Sequence, residues 1–487
     1  MNGGLKGTRQ LTLVRTLNNK FGLSAALTAL FACALCSGCR VSVRLSDLSP
    51  QRPAHWTLSA GTPVKGKIHA VGAASAPFIP THPVALSGFG SPSRRFLPPL
   101  LTTGGDVSFC RPYQKIENPP LIKAAIFKIH NDSQKNEQLI LFSLDLIAVT
   151  NDLTDKIHQT VATTLQKSDV SLSNTFVLAT HTHSGPAGLT ESPLWSAFVC
   201  DQFNRDLSEQ YLAKVTEVLQ QATRQLQPVT TIETVTTQQP SLFKSRFTGM
   251  TPATDITLVS FKSPSGKTPL SLVQLAAHPT VLGPRDLTLS ADLIAPLESA
   301  LRSSTGADEV FTMQTMLGNM DAEFNNETSA QWAKRVSDSL QTTQTTRTEF
   351  SDLSTSTFAG QVSLPSPEIN WTACGAKYAK LMASAPILEE LPNSAPFTFW
   401  RFATTTHLFL PGEWTTGAGQ QLMSSFSREK GDMKIISLAN DYTAYHVTEA
   451  DYGQKELESC SSIYGRSALS RFTETLSKNE AFWNTIQ

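Results

Sequence analysis

The segment "THTHSGPAG", Thr180 to Gly188, sets two histidines one residue apart between a short apolar run and a Ser-Gly-Pro turn. In an extended backbone the side-chain period is two, so the rings of His181 and His183 fall on the same side. Such a pair supplies two metal ligands or one ligand with a neighbour, and spacing alone leaves both arrangements open. Two further residues of suitable chemistry sit beside turn formers: His278, followed by Pro279, and Glu413, preceded by Pro411 and Gly412. Two imidazoles and a carboxylate with an open position form a zinc set in which the metal can lower the pKa of water towards about 7. Ser184 carries a nucleophile's hydroxyl, but with Gly185, Pro186 and Gly188 behind it the residue reads as part of a turn. Asp145 in "SLDL" lies among leucines, where an ionised side chain needs a partner, and a bond to a ligand histidine is expected.

These side chains have to be carried to one place by regular elements. "NDLTDKIHQTVATTLQ" puts Leu153, Ile157, Val161 and Leu165 on one helical face, with Asn151 or Asp152 as the cap. "NRDLSEQYLAKVTEVLQQATRQLQP" does the same with Leu207, Tyr211, Val215 and Val218, and Pro228 ends it. Between and after the helices come apolar runs that read as strands: "IKAAIFKI", "QLILFSLDL", "NTFVLAT", "ITLVSFK", "SLVQLAA", "EVFTMQT", "THLFLP" and "KIISLA". Five of them lead into polar residues: His181 and His183, His278, Asn319, Glu413, and Asn440-Asp441-Tyr442. Ligands of open α/β sheets bind at strand C-termini, so these dispersed loops are expected to converge on one pocket. The fold class is therefore α/β, with a mixed β-sheet core flanked by helices.

Composition sets the outer bounds. The chain has 487 residues, 40% apolar and 16% charged, with 40 basic and 40 acidic side chains, so its formal charge is zero. Nothing in that balance points to a nucleic-acid partner. Arg9, Arg15 and Lys20 precede "FGLSAALTALFACAL", an apolar run of 15 residues, and "CSGC" closes at Cys39. The run is short for a bilayer span, which takes about 20 residues. It reads as an export signal, either a plain secretory one or a lipoprotein box whose Cys39 carries a membrane anchor. Residues 1–39 are thus a signal peptide, 40–67 a Ser/Pro-rich linker and 68–487 one domain in the cell envelope or secreted. Cys110, Cys200, Cys374 and Cys460 lie beyond the leader, dispersed and suited to disulfides rather than to a metal, with the pairing unassigned.

"THTHSGPAG", "AAHPT" with "SAD" downstream, "LPGEWTT", and "NDYTAYHVTEADY" followed by "ESCSSIYG" resemble, in that order, the neutral ceramidase family of zinc amidohydrolases. The resemblance covers roughly residues 70 to 470 and includes "GAASAPFIPTHPVALSGFGSPSRR" and "FSLDLIAV". It implies a single α/β catalytic domain holding one Zn2+ and hydrolysis of an N-acyl amide bond in a lipid-like substrate, ceramide or an analogue. Carried over by residue, it implies His181, His278, Glu413 and Tyr445 as metal ligands, His183 beside the substrate, and Arg246 in "KSRF" fixing the substrate. The family's "QSNxGD" segment is "QTMLGN" here, which puts Thr315 at the catalytic serine and Asn319 at the aspartate. A tyrosine expected before Glu458 is Leu457, and the C-terminal β-sandwich of longer members has no counterpart before Gln487. These departures leave two alternatives: an esterase or amidase for another acylated compound, and a non-catalytic, zinc-stabilised surface-binding lipoprotein.

Overall fold

The computed structural model describes residues 58–484 except 90–91, 102–106, 132–135, 193–194, 197–200, 251, 343–345, 368–369, 371–372, 374–390, 427–431 and 455. The leader with Cys39, the linker as far as residue 57, Cys200 and Cys374 lie outside the described residues. Residues 58–67, expected to be linker, belong to the fold. Leu58 packs with Leu172 and Ala359, and the first strand starts at Lys65. Their Ser/Pro-rich surroundings concealed two buried apolar residues, Leu58 and Val64.

The strands used below are β1 (Lys65–Pro77), β2 (Leu121–His130), β3 (Asn136–Leu144), β4 (Thr175–Ala179), β5 (Thr231–Gln238), β6 (Asp255–Lys262) and β7 (Thr268–Leu275). They continue with β8 (Ala307–Gln314), β9 (Thr346–Phe350), β10 (Ser354–Ser363), β11 (Ser394–Phe402), β12 (Thr405–Phe409) and β13 (Asp432–Ile436). The helices are α1 (Asn151–Leu165), α2 (Arg205–Arg224), α3 (Ile294–Thr305), α4 (Ser329–Ser339), α5 (Thr416–Ser424) and α6 (Ala468–Asn484). All eight apolar runs of the sequence are strands. The core contains two mixed sheets rather than one. The larger runs β13-β12-β11-β10-β1-β2-β3-β4, with its outermost pairs, β12–β13 and β3–β4, parallel and the rest antiparallel. The smaller runs β8-β7-β6-β5-β9 and is parallel only between β7 and β8.

Each sheet sorts its side chains by alternation. On β2, Ala125, Phe127 and Ile129 face the other sheet, while Ile122, Ala124 and Ile126 join the core shared with the helices. Phe261 and Leu270 of the smaller sheet meet Phe127, Phe176 and Trp400 of the larger one, and among the described residues no helix contributes to that cluster. Phe127 is edge-on to both Phe261 and Trp400 at 5.2 and 5.1 Å, an arrangement aromatic quadrupoles favour. Helix α2 buries Leu207, Tyr211, Val215 and Val218, the stripe read from the sequence. Layers therefore stack as helix, sheet, sheet, helix, which explains why so many runs were apolar throughout: both faces of these strands are covered.

Two helix boundaries differ from expectation. At α1 the N-cap is Thr150, with no side-chain capping bond; the Asn151 N–H instead donates to the Asp441 carboxylate at 3.0 Å. A partner distant in sequence replaced a local cap. Helix α2 ends at Arg224, before Pro228, because Gln227–Pro228 turns to pair with β1. Among the described residues no helix is long and apolar enough to cross a membrane.

Candidate active site

Strand β4, buried along its whole length, delivers the first ligand candidate. Beyond it the Thr180 and His181 amides donate to Leu144 and Leu146 carbonyls, and His181 takes φ of 73°. That left-handed turn is costly for a side chain with a Cβ and is held here by surrounding bonds. His181 Nδ1 lies 2.6 Å from the Ile147 carbonyl, which fixes Nδ1 as the donor and leaves Nε2 with its lone pair bare. His278 follows β7. Its backbone N–H and Nδ1 both lie 3.0 Å from the Met320 carbonyl, so its Nε2 is bare as well.

Glu413 arrives from β12 through Gly412, whose φ is 73° and where a Cβ would sit 2.3 Å from the Ala444 carbonyl. Only glycine fits, and the approach lets Glu413–Trp414 pair in parallel with Tyr445–His446. Glu413 Oε2 lies 3.0 Å from His278 Nε2 and 3.2 Å from His181 Nε2, and Tyr442 donates its hydroxyl to Oε1 at 2.6 Å. Tyr445 Oη reaches to 3.5 Å from His278 Nε2. His183 Nε2 stands 3.4 Å from His181 Nε2, close to the separation of about 3.3 Å between two tetrahedral nitrogen ligands of zinc. The three histidines offer nitrogens within 4.8 Å of one another and could hold a metal ion.

Electrostatics support that use. Burial, reinforced by Arg246, brings His278 down to about 4, and burial with the two neighbouring histidines holds His183 well below its ordinary range. With His278 neutral and its Nδ1 committed as donor, its Nε2 lone pair faces a carboxylate lone pair at 3.0 Å. Bare acceptors so close repel unless a cation sits between them, and the donor set suits zinc. Burial, with Glu413 nearby, pushes the Tyr445 phenol well above 10, so without a cation it stays protonated.

His183 is held differently. Gly88, φ 95°, packs so closely that a Cβ would lie 2.7 Å from His183 Nδ1, and Phe89 stands edge-on to the ring at 4.6 Å. Buried Arg94 donates to the carbonyls of His183 and Ser87, the latter at 2.9 Å, and to that of Asp286 at 3.2 Å. His183 Nδ1 has no hydrogen-bond partner among the described residues, unlike the Nδ1 atoms of His181 and His278.

Arg246 sits after a short ladder, Phe243–Ser245 with Met320–Ala322, and its N–H donates to the Asn319 carbonyl at 2.8 Å. Its Nε and Nη2 fork onto Asp321, while Nη1 points at His278 Nε2 and Glu458 Oε1, each 3.5 Å away. Burial would lower its pKa, yet the bonds to Asp321 hold it above its ordinary value. Asn319 ties this corner to Glu413's loop, donating to Ser245 Oγ and accepting from the Thr416 N–H, both at 2.8 Å. Thr315, half-buried, follows β8 directly; its amide donates to the Leu275 carbonyl, and among the described residues its hydroxyl bonds no member of the histidine–glutamate set.

Asp145 does not bond a histidine. It is buried and takes bonds from Lys123 Nζ and Thr180 Oγ1, both at 2.9 Å, and from the Leu121 N–H at 2.8 Å. Backbone carbonyls of Leu146 and Ile147 serve His181 instead, which leaves the carboxylate free to neutralise the buried lysine. Ser184 is a buried turn residue bonded through its backbone, as expected. In "SAD", Asp292 accepts the N–H groups of Val281 and Leu282, pinning the loop after His278.

Several contributors carried no individual signal in the sequence: Arg94, Gln314, Asp321, Tyr442 as a partner of Glu413, and Glu458. Gln314 is fully buried. Its amide donates to the Thr180 carbonyl at 3.0 Å and the Ala277 carbonyl at 2.9 Å and accepts from the Ala277 N–H at 3.2 Å. It thus spans the residues just before His181 and His278, and its place at the end of β8 was the only available clue.

No family model and no curated protein matches the sequence. Solved structures do. A neutral ceramidase from Pseudomonas aeruginosa matches with a TM-score of 0.67 at 14% identity, covering 86% of this chain and 75% of that one. A ceramidase complexed with C2 matches with the same TM-score and identity, covering 86% of this chain and 76% of that one. The chain shares the α/β fold of the neutral ceramidases.

Proposed function

We propose that the protein is an exported zinc-dependent hydrolase that cleaves N-acyl amide bonds in a lipid-like substrate, in the manner of a ceramidase. The observation that carries this reading is the convergence of bare ligand atoms, His181 Nε2, His278 Nε2 and Glu413 Oε2, beside an arginine. The likeness of fold to neutral ceramidases supports it. In this reading His181, His278, Glu413 and Tyr445 hold the ion. His183, whose Nδ1 is not committed to a carbonyl, faces the substrate. Zinc, when bound there, supplies a Lewis acid that polarises a carbonyl and lets water ionise near neutral pH.

The chain's own groups do the rest. Tyr442 holds Glu413 through one oxygen, so that the other stays directed at the histidines. Arg246, fixed by its fork onto Asp321, keeps Nη1 as a permanent charged donor for the oxygen on which negative charge develops during acyl transfer. Neutral His183 offers a ring N–H and a lone pair to the reacting amide as a hydrogen-bonding partner, without the cost of burying a second cation beside Arg246. Thr315, in the position of the family serine, supplies a hydroxyl at the strand end. Cys39, if acylated, places the domain at a membrane surface where lipid-like substrates are found.

Metal analysis of the purified mature protein, run beside a panel of N-acyl substrates that includes ceramides, tests this. Stoichiometric zinc with turnover of at least one amide is the expected result. Absence of zinc, or zinc without turnover of any panel member, overturns it, and the second outcome identifies a zinc-stabilised binding scaffold. Ester turnover alone would identify an esterase.

A further inference from the structure

Of the histidines at the site, His181 and His278 have their rings fixed by a hydrogen bond at Nδ1, to the carbonyls of Ile147 and Met320. His183 has no such bond among the described residues, so its imidazole is set from its backbone and from the walls beside it. Both lead to Arg94. This residue closes the short turn Pro92–Arg94 and is 1% exposed. Among the described residues its hydrogen bonds all go to backbone carbonyls: Nη1 to those of His183 and Ser87, Nη2 to those of Gly283 and Asp286. The carboxylates whose charge it feels, Asp286 and Asp292, are engaged by the Thr288 hydroxyl and by backbone N–H groups. A guanidinium buried on carbonyls alone is costly, and burial brings its pKa down to about 10. What it supplies in return is a rigid fork that binds acceptors in several directions at once.

Those directions surround one ring. The Ser87 carbonyl precedes Gly88, which packs against His183 Nδ1, and Ser87 in turn donates its N–H to the Gly185 carbonyl at 3.1 Å. Phe89 stands edge-on to the imidazole at 4.6 Å and carries the Arg94 guanidinium over its own ring, 4.8 Å from the centroid. Gly88 and Phe89 both take left-handed φ, 95° and 60°, so the chain bends tightly at this wall and Arg94 holds the bend. Resting on the amide-hydrolase reading above, we propose that Arg94 is a positioning residue: through the His183 carbonyl and Phe89 it sets the His183 imidazole beside His181, His278 and Glu413 while leaving Nδ1 uncommitted. The protein then fixes where the ring lies, and the substrate decides which ring nitrogen carries the proton. Through Gly283 and Asp286 the same side chain holds the loop after His278, so one guanidinium aligns both histidine loops.

A double-mutant cycle on the zinc-loaded mature protein tests this, with Arg94→Met removing the fork and His183→Ala removing the ring it places. At each corner of the cycle kcat, KM, zinc content and Tm are measured. Arg94→Met alone should lower kcat by about ten- to a hundredfold with stoichiometric zinc retained. In the His183→Ala background the further loss should be less than about twofold, while the drop in Tm is the same in both backgrounds. Arg94→Lys keeps the charge without the fork; it should lose activity in the same way, and it takes the place of Arg94→Met if that variant does not fold. An equal loss of kcat in both backgrounds, an unchanged kcat in Arg94→Met, or loss of zinc overturns the proposal. A second readout needs no turnover. In protein with isotope-labelled histidine, the His183 ring resonances, assigned by their absence in His183→Ala, should shift in the Arg94 variant while those of buried His407 stay in place. That selective shift in a protein that hydrolyses no amide upholds the positioning and refutes the hydrolase reading instead; its absence overturns the positioning whatever the activity.

Discussion

At the scale of single residues, the repulsion between bare acceptors makes the metal hypothesis quantitative. Replacing His181, His278 or Glu413 by Ala removes one proposed ligand and should abolish stoichiometric zinc in each variant; full occupancy by metal analysis in all three would refute the assignment. Thr315→Val keeps volume and strand propensity while deleting the hydroxyl. It should cut turnover well beyond any loss of stability, and unchanged rates would leave catalysis to the groups around the metal. Histidine and glutamate could be picked from the sequence because their chemistry is specific and turn formers flank them. Asp145 could not be placed correctly from sequence, since an acid among leucines announces that it has a partner without saying which. Its partner, Lys123, sits in "IKAAIFKI" and reads there as an exposed strand residue, although it is fully buried.

Among elements, strand existence was legible because apolar runs bounded by polar loops have few other fates, and each run expected to feed the pocket does end near it. The division into two sheets was not legible. A strand covered on one face by helices and on the other by a second sheet has the same composition as one between two helix layers. Gln314 shows what that hid. At the end of β8 it bridges the exits of β4 in one sheet and β7 in the other. Gln314→Leu keeps approximate volume but leaves the Thr180 and Ala277 carbonyls and the Ala277 N–H unpaired, at about 1 to 3 kcal/mol per stranded group. We expect a lower Tm and weaker zinc binding together, and normal metal affinity in a variant with reduced Tm would restrict Gln314 to a purely structural task. Partial recovery in Gln314→Glu would point to the lost acceptor.

For the whole molecule, the interface between sheets is apolar and aromatic in one part and ionic in another. Lys123 Nζ meets Asp145 at 2.9 Å and Glu298 at 2.7 Å, and Glu298 also accepts the Thr312 N–H and hydroxyl. Two carboxylates and one lysine leave an excess negative charge. Burial first, and Asp145 second among the groups acting in that direction, raise Glu298 from 4.5 to about 7 despite Lys123. The folded state therefore binds a proton that the unfolded chain releases. Its stabilisation is complete below about pH 4.5 and fades as pH rises through about 7. Unfolding free energy measured between those values should fall with pH through this group, and Glu298→Gln should flatten that slope; an unchanged slope would assign it to other residues.

The origin of the ligand candidates has a mechanical side. His181 and Glu413 follow strands of the larger sheet, and His278 follows a strand of the smaller one. An ion held by all three is a non-covalent staple across the two halves of the core, fastening surfaces that otherwise adhere by packing and a buried ionic patch. Its binding energy then counts towards cohesion of the body as well as towards chemistry. Chelation should loosen the staple, lowering Tm in proportion to metal affinity, with about 4 kcal/mol at stake when free metal stands a thousandfold above its Kd. Hydrogen exchange in β7 and β8 should rise on chelation. The centre that would cut a substrate is, in this architecture, also the rivet that keeps the two sheets from sliding apart.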